Sequence, residues 1–258
     1  MSTVRANVIV SCAAIAFALQ AGIAQAAIKT QYVEYTHGST PLKGFLAYDD
    51  SVSGRRPGVL LVHFRGGLAK TTLRDAEMIA KLGYVVFAED MFGKDILPAT
   101  VPEMTALTDI YNNDRALMRT RAQAGFDVLR RHPMVDPAKI AIIGYCFGGT
   151  VAVELAETGA QAVGMIAVHG SFRNFTPADA KNIKGRVLIL HGAEDPVAPL
   201  DEVNKLIADL RAAKVNWQLE LYSGALHGFT SPTSPSDERA DREYQGAIQR
   251  FFKEVFAS

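Results

Sequence analysis

The chain has 258 residues, and its 27 Lys and Arg balance 27 Asp and Glu, so the formal charge is zero. That balance excludes a nucleic-acid binder held by a broad basic field, and it excludes a solvated acidic tail. An apolar fraction of 48% is too high for disorder, and two cysteines, Cys12 and Cys146, are too few for a disulfide scaffold or a cysteine-rich zinc module.

Residues 1–26 read as a secretory signal peptide. Arg5 near the start is followed by an apolar stretch from Ala6 to Ala24, and Ala24-Gln25-Ala26 forms a small-x-small cleavage site. Ser11, Gln20 and Gly22 interrupt the stretch, which leaves it weak for a stable membrane span of roughly 20 residues. The expectation is an exported protein, periplasmic or secreted, with one domain over 27–258 and no lasting membrane anchor. Cys12 leaves with the signal, so Cys146 is then the sole thiol.

The domain opens on a strand pair, Thr30–Tyr35 and Lys43–Tyr48, around Gly38 and Pro41. Gly58–His63 is a continuous apolar run suited to a strand buried on both faces. Helical spacing covers Thr72–Leu82, Gly83 stops it, and the strand Tyr84–Ala88 follows. Residues 103–131 read as helical, most firmly over Arg115–Arg131. The strand Lys139–Ile143 and a helix over 148–157 come next. After them come strands Ala162–Val168 and Val187–His191, a helix over 200–213, strand Trp217–Tyr222 and an amphipathic helix Ala240–Phe256. Apolar strands alternating with helices predict an α/β fold, a mostly parallel sheet with helices on both faces.

The chemistry concentrates in Ile142-Ile143-Gly144-Tyr145-Cys146-Phe147-Gly148-Gly149-Thr150. A buried strand runs into Gly-x-Cys-x-Gly-Gly and a helix begins at once, which is the pattern of a nucleophile elbow with Cys in place of Ser. The turn is too sharp for bulky neighbours, and the helix start sets its N–H groups and positive dipole end beside the sulfur, favouring the thiolate. The order nucleophile, acid, histidine selects Asp195, just past the strand Val187–His191, over its neighbour Glu194. It selects His227, the one histidine downstream of Asp195, over His37, His63, His132, His169 and His191. His63, His169 and His191 each end a strand near one sheet edge, and a metal site built from them is the alternative use. The oxyanion donors are expected from the Phe147 N–H and from the loop Phe64-Arg65-Gly66-Gly67.

These residues resemble the dienelactone hydrolase family of the α/β-hydrolase fold, over nearly all of 29–257. The matching runs are Gly144–Gly149, His191–Pro196 and His227-Gly228-Phe229, with Gly83-Tyr84-Val85 and Glu89–Gly93 beside them. The resemblance implies a Cys146, Asp195, His227 triad and oxyanion N–H groups on Phe147 and Arg65. It implies a carboxylic ester or lactone hydrolase with a small-molecule substrate. There is no Cys-x-x-Cys, and no Gly-x-Gly-x-x-Gly opens the first helix, so no cofactor is expected, and no metal or nucleic-acid partner is expected either. The chain departs from the family where a glutamate that helps to activate the cysteine is replaced by Phe64, and where a substrate-binding arginine is replaced by Ser231. Arg65, Arg115 and Arg119 are the substitutes for that arginine. Loss of the glutamate motivates the alternative of a weakly active or non-catalytic ligand-binding member.

Overall fold

The computed structural model describes residues 27–173 and 177–257. The expected signal peptide, with Cys12, lies outside the described residues. Among those described, no helix is long and apolar enough to cross a membrane.

Among the described residues, eight strands form one sheet in the order β1-β2-β4-β3-β5-β6-β7-β8. Strands β1 (Ile28–His37) and β2 (Thr40–Asp49) are an antiparallel hairpin, and β2 pairs antiparallel with β4 (Val85–Glu89). The rest is parallel: β3 (Arg56–Val62), β4, β5 (Val135–Tyr145), β6 (Gly164–Val168), β7 (Arg186–Gly192) and β8 (Trp217–Tyr222). The central strands are buried along their whole length, as their unbroken Val, Ile, Leu and Ala runs require for a sheet covered on both sides. Helices α1 (Lys70–Ala80) and α7 (Pro235–Ala257) cover one face through Ile79, Phe251 and Phe252. On the other face, α2 (Val101–Asn112), α3 (Arg115–Arg131), α4 (Phe147–Glu157) and α6 (Leu200–Ala212) pack through Tyr111, Met118, Phe126, Val151 and Leu206. A one-turn helix, α5 (Pro177–Ala180), precedes β7.

Three differences from the sequence expectation have local causes. The helical stretch over 103–131 is two helices, because the Asp114 carboxylate accepts the Leu117 N–H and caps a new start. Strand β5 begins at Val135, not Lys139: Arg56 pairs with Val135 and Gly58 with Ile140, so the residues between bulge out of the ladder. Helix α7 begins at Pro235, five residues before its apolar periodicity, because buried Asp237 accepts the Leu226 N–H and the Thr233 hydroxyl and holds the helix start against the preceding loop.

Candidate active site

Parallel strands release their side chains at one edge of the sheet, and the candidate residues collect there. Strand β5 ends at Tyr145 and α4 begins at Phe147, so the whole reversal falls on Cys146, at φ 54° and ψ −117°. A non-glycine residue holds that strained geometry only when its surroundings over-determine it. The Cys146 N–H donates to Val168 O at 2.9 Å, and its carbonyl accepts the Gly149 N–H at 2.9 Å. A Cβ at Gly148 would lie 2.2 Å from Val62 O, and one at Gly144 would lie 1.9 Å from Gly148 O. The two glycines are thus what lets α4 cross this close to β3 and β5.

His227 follows β8 in a loop tethered by the Asp237 bond to Leu226. Its Nε2 lies 3.1 Å from Cys146 Sγ, and its Nδ1 lies 2.8 Å from Asp195 Oδ2. The other Asp195 oxygen accepts the N–H groups of Val197 and Ala198, at 2.8 and 2.9 Å, so the carboxylate is fixed from both sides. Asp195 is buried whereas Glu194 is exposed, which separates the two carboxylates that the sequence offered.

Charge in this group is mutually supporting. Burial pushes the Cys146 thiol up, but the His227 hydrogen bond and charge, the Phe147 N–H and Arg65 together hold it below the ordinary thiol value. Burial pulls His227 down, yet Asp195 and the Cys146 sulfur outweigh it and push the imidazole up to about 9. Both directions favour a thiolate–imidazolium pair over a neutral one. Asp195, raised by burial, is held low overall by His227 and by its backbone donors.

Cys146 and His227 open into a cavity of about 380 Å³, also lined by Arg65, Phe147, Thr150 and Phe172. Arg65 is exposed and, among the described residues, has no carboxylate partner. The other two candidate arginines are engaged. Arg115 pairs with Glu154 at 2.6 Å and Glu157 at 3.2 Å, and Arg119 pairs with Glu154, Glu157 and Asp179. Ser231 is an exposed loop residue. Phe64 packs with the α1/α7 core, on the other side of the sheet from most of the cavity wall.

The His63, His169, His191 metal alternative is corrected by the structure. The His63 Nδ1–H donates to Phe64 O at 2.7 Å and its Nε2 accepts the Met91 N–H, while the His191 Nε2–H donates to Ala198 O at 2.8 Å. Two of the three are thus spent on backbone. His169 differs: it follows β6 at φ 40°, buried, with its ring edge-on to His227 at 4.8 Å between centroids. Among the described residues, Cys146, His169 and His227 bring one donor atom each within 4.8 Å of one another. The sequence marked His169 as a strand end. Its approach to Cys146 follows from the β5–β6 register, in which Tyr145 pairs with Val168.

The model of the dienelactone hydrolase family matches residues 42–256. The chain belongs to the dienelactone hydrolase family. This dienelactone hydrolase-type hydrolase is similar to a carboxymethylenebutenolidase homolog of Rattus norvegicus, with 28% identity over 66% of this chain and 68% of the relative. It is similar to the protein usf of Aquifex pyrophilus, with 24% identity over 77% of this chain and 86% of that one. Among solved structures, a dienelactone hydrolase-like promiscuous phosphotriesterase from metagenomic libraries superposes with a TM-score of 0.84. The two share 34% identity over 89% of the hydrolase and 99% of that chain.

Proposed function

We propose that this hydrolase cleaves small carboxylic esters or lactones through an acyl-enzyme on Cys146, and that it acts outside the cytoplasm after removal of residues 1–26. The observation that carries the catalytic reading is the continuous relay from Asp195 through His227 to Cys146, at 2.8 and 3.1 Å. The thiolate attacks the acyl carbon and the carbonyl π pair moves onto oxygen. The N–H groups of Phe147 and Arg65 receive that oxyanion, and the positive end of α4 adds to its stabilisation. As the C–O bond breaks, imidazolium His227 protonates the leaving alkoxide. Neutral His227 then takes a proton from water, which attacks the thioester and frees the sulfur. Asp195 holds Nδ1–H throughout and stabilises the imidazolium.

The His227 contact at 3.1 Å and its charge lower the Cys146 thiol without a second carboxylate at position 64, which supports activation by His227 alone. The competing reading, a ligand-binding member without turnover, draws on Phe64 in place of the family glutamate. Intact mass spectrometry after mixing with a short aryl ester separates the two. The hydrolase reading expects one acyl mass added per chain, absent in Cys146→Ala. A chain that hydrolyses nothing and gains no mass across a panel of esters, lactones and a phosphotriester would refute it.

Arg65 supports a preference for substrates carrying an anion near the scissile bond. Its exposure keeps the effect small, since solvent screens such a pair. Arg65→Ala is expected to lower kcat/KM for a carboxylated ester by about fivefold relative to a neutral ester of the same leaving group. An unchanged ratio removes Arg65 from substrate selection.

A further inference from the structure

His169 has no part in the relay above, yet its position is costly. It is a non-glycine residue at φ 40°, 3% exposed, and its Nδ1 is buried without a hydrogen-bond partner. Its Nε2 faces the Thr230 hydroxyl at 3.4 Å. The unpartnered nitrogen belongs to a ring in contact with His227, beside the sulfur.

We propose that Cys146, His169 and His227 form a reversible binding site for a thiophilic divalent cation of the Zn²⁺ class, and that occupancy switches the hydrolase off. The donor set is one thiolate and two imidazoles, which suits Zn²⁺ and Co²⁺ and disfavours Mg²⁺ and Ca²⁺. Tetrahedral Zn–S and Zn–N bonds set the donors roughly 3.3–3.6 Å apart. The Sγ–Nε2 pair is slightly inside that range at 3.1 Å, and the three donors lie within 4.8 Å of one another.

The surroundings complete the case. A metal-bound imidazole commonly donates its other N–H to a carboxylate or similar acceptor, which fixes the ring. The His227 Nδ1–H already does so to Asp195 at 2.8 Å. With Nδ1 of His169 on the metal, its Nε2–H points to the Thr230 oxygen. The ion displaces the one proton shared by Sγ and His227 Nε2, and that proton goes to solvent. A fourth coordination position faces the cavity that Cys146 and His227 line. With its lone pairs on the metal, Sγ no longer attacks an acyl carbon.

The loss of activity rests on the hydrolase reading; cation binding does not. The test uses the full mature protein, with Co²⁺ as a spectroscopic probe and Zn²⁺ as inhibitor. Co²⁺ is expected to produce a thiolate-to-cobalt charge-transfer band with one ion per chain, lost in Cys146→Ser and weakened in the His169 variants. Zn²⁺ is expected to inhibit ester turnover reversibly, with EDTA restoring it. Two His169 variants guard against misfolding: His169→Asn, since Asn tolerates positive φ, and His169→Phe, which keeps a ring against His227. Each is expected to retain ester turnover and to raise the half-inhibiting zinc concentration at least about tenfold. Inhibition unchanged in both variants, or the absence of a charge-transfer band in the wild-type protein, would overturn the site. A cobalt band in a protein without ester turnover supports the site and counts against the hydrolase reading alone.

Discussion

Cys146→Ala is expected to lower kcat/KM for a short aryl ester by about 10³-fold or more, down to what the cavity and its N–H donors achieve without a nucleophile. The reason is that the other groups of the relay act on that sulfur. His227 is within hydrogen-bond distance of it, Asp195 is fixed behind His227 by two backbone donors, and α4 starts beside it. His227→Ala is expected to cost a similar factor, and the double variant little more than either alone, because residues acting as one unit are not additive. A second readout separates catalysis from damage to the fold. With His227 in place the thiol is held below the ordinary value of 9.0, and the imidazole is pushed up to about 9. Iodoacetamide labelling of Cys146 should therefore proceed readily at neutral pH. In His227→Ala the midpoint of the labelling rate against pH should move upward, since burial then acts on the thiol with much less opposing it. Wild-type turnover persisting in Cys146→Ala would end the acyl-enzyme proposal.

Gly148→Ala is expected to destabilise the fold by about 3 kcal/mol or more, a fall in Tm of roughly 6–12 °C for a domain of this size. The added methyl would meet Val62 O at 2.2 Å, and no side-chain rotation relieves a clash with backbone. The only relief is to lift α4 off β3, which moves the Phe147 N–H and strains Cys146 further. Activity is therefore expected to fall even in the fraction that stays folded. Gly38→Ala is the control. It stands at φ 58° with nothing within 4 Å of its added methyl, so it should cost only the left-handed backbone penalty of roughly 1–2 kcal/mol and leave turnover unchanged. Thermal melts and ester assays on the two variants side by side check this. Equal melting temperatures would show that the elbow is not tightly packed against β3.

Much of this molecule was legible from local pattern. Unbroken apolar runs such as Gly58–His63 and Lys139–Ile143 announced strands covered on both faces, and these are β3 and the buried part of β5. Elements whose bounds depend on a distant partner were not legible. Pro235–Arg239 lacks an apolar stripe, and becomes helix because Asp237 reaches back to Leu226 across the loop that carries His227. The break at Asn113 and Asp114 was missed for a similar reason, since a capping carboxylate competes with helical spacing and wins by satisfying a backbone donor.

The same division runs through the site. By itself the sequence determined the elbow, because Gly-Tyr-Cys-Phe-Gly-Gly between an apolar strand and a helix has few other steric uses, and chain order then selected Asp195 and His227. Only the tertiary structure decided which charges remain available and which histidine joins the sulfur. Arg115 and Arg119 are taken up by Glu154, Glu157 and Asp179 across the α3–α4 contact, whereas Arg65 is left facing the cavity. His63 and His191 are spent on backbone groups, whereas His169 is turned toward Cys146 by a strand register and a positive φ. Neither outcome is written in spacing along the chain, because partners 35 to 61 residues apart meet only when the sheet brings their strand ends and covering helices together.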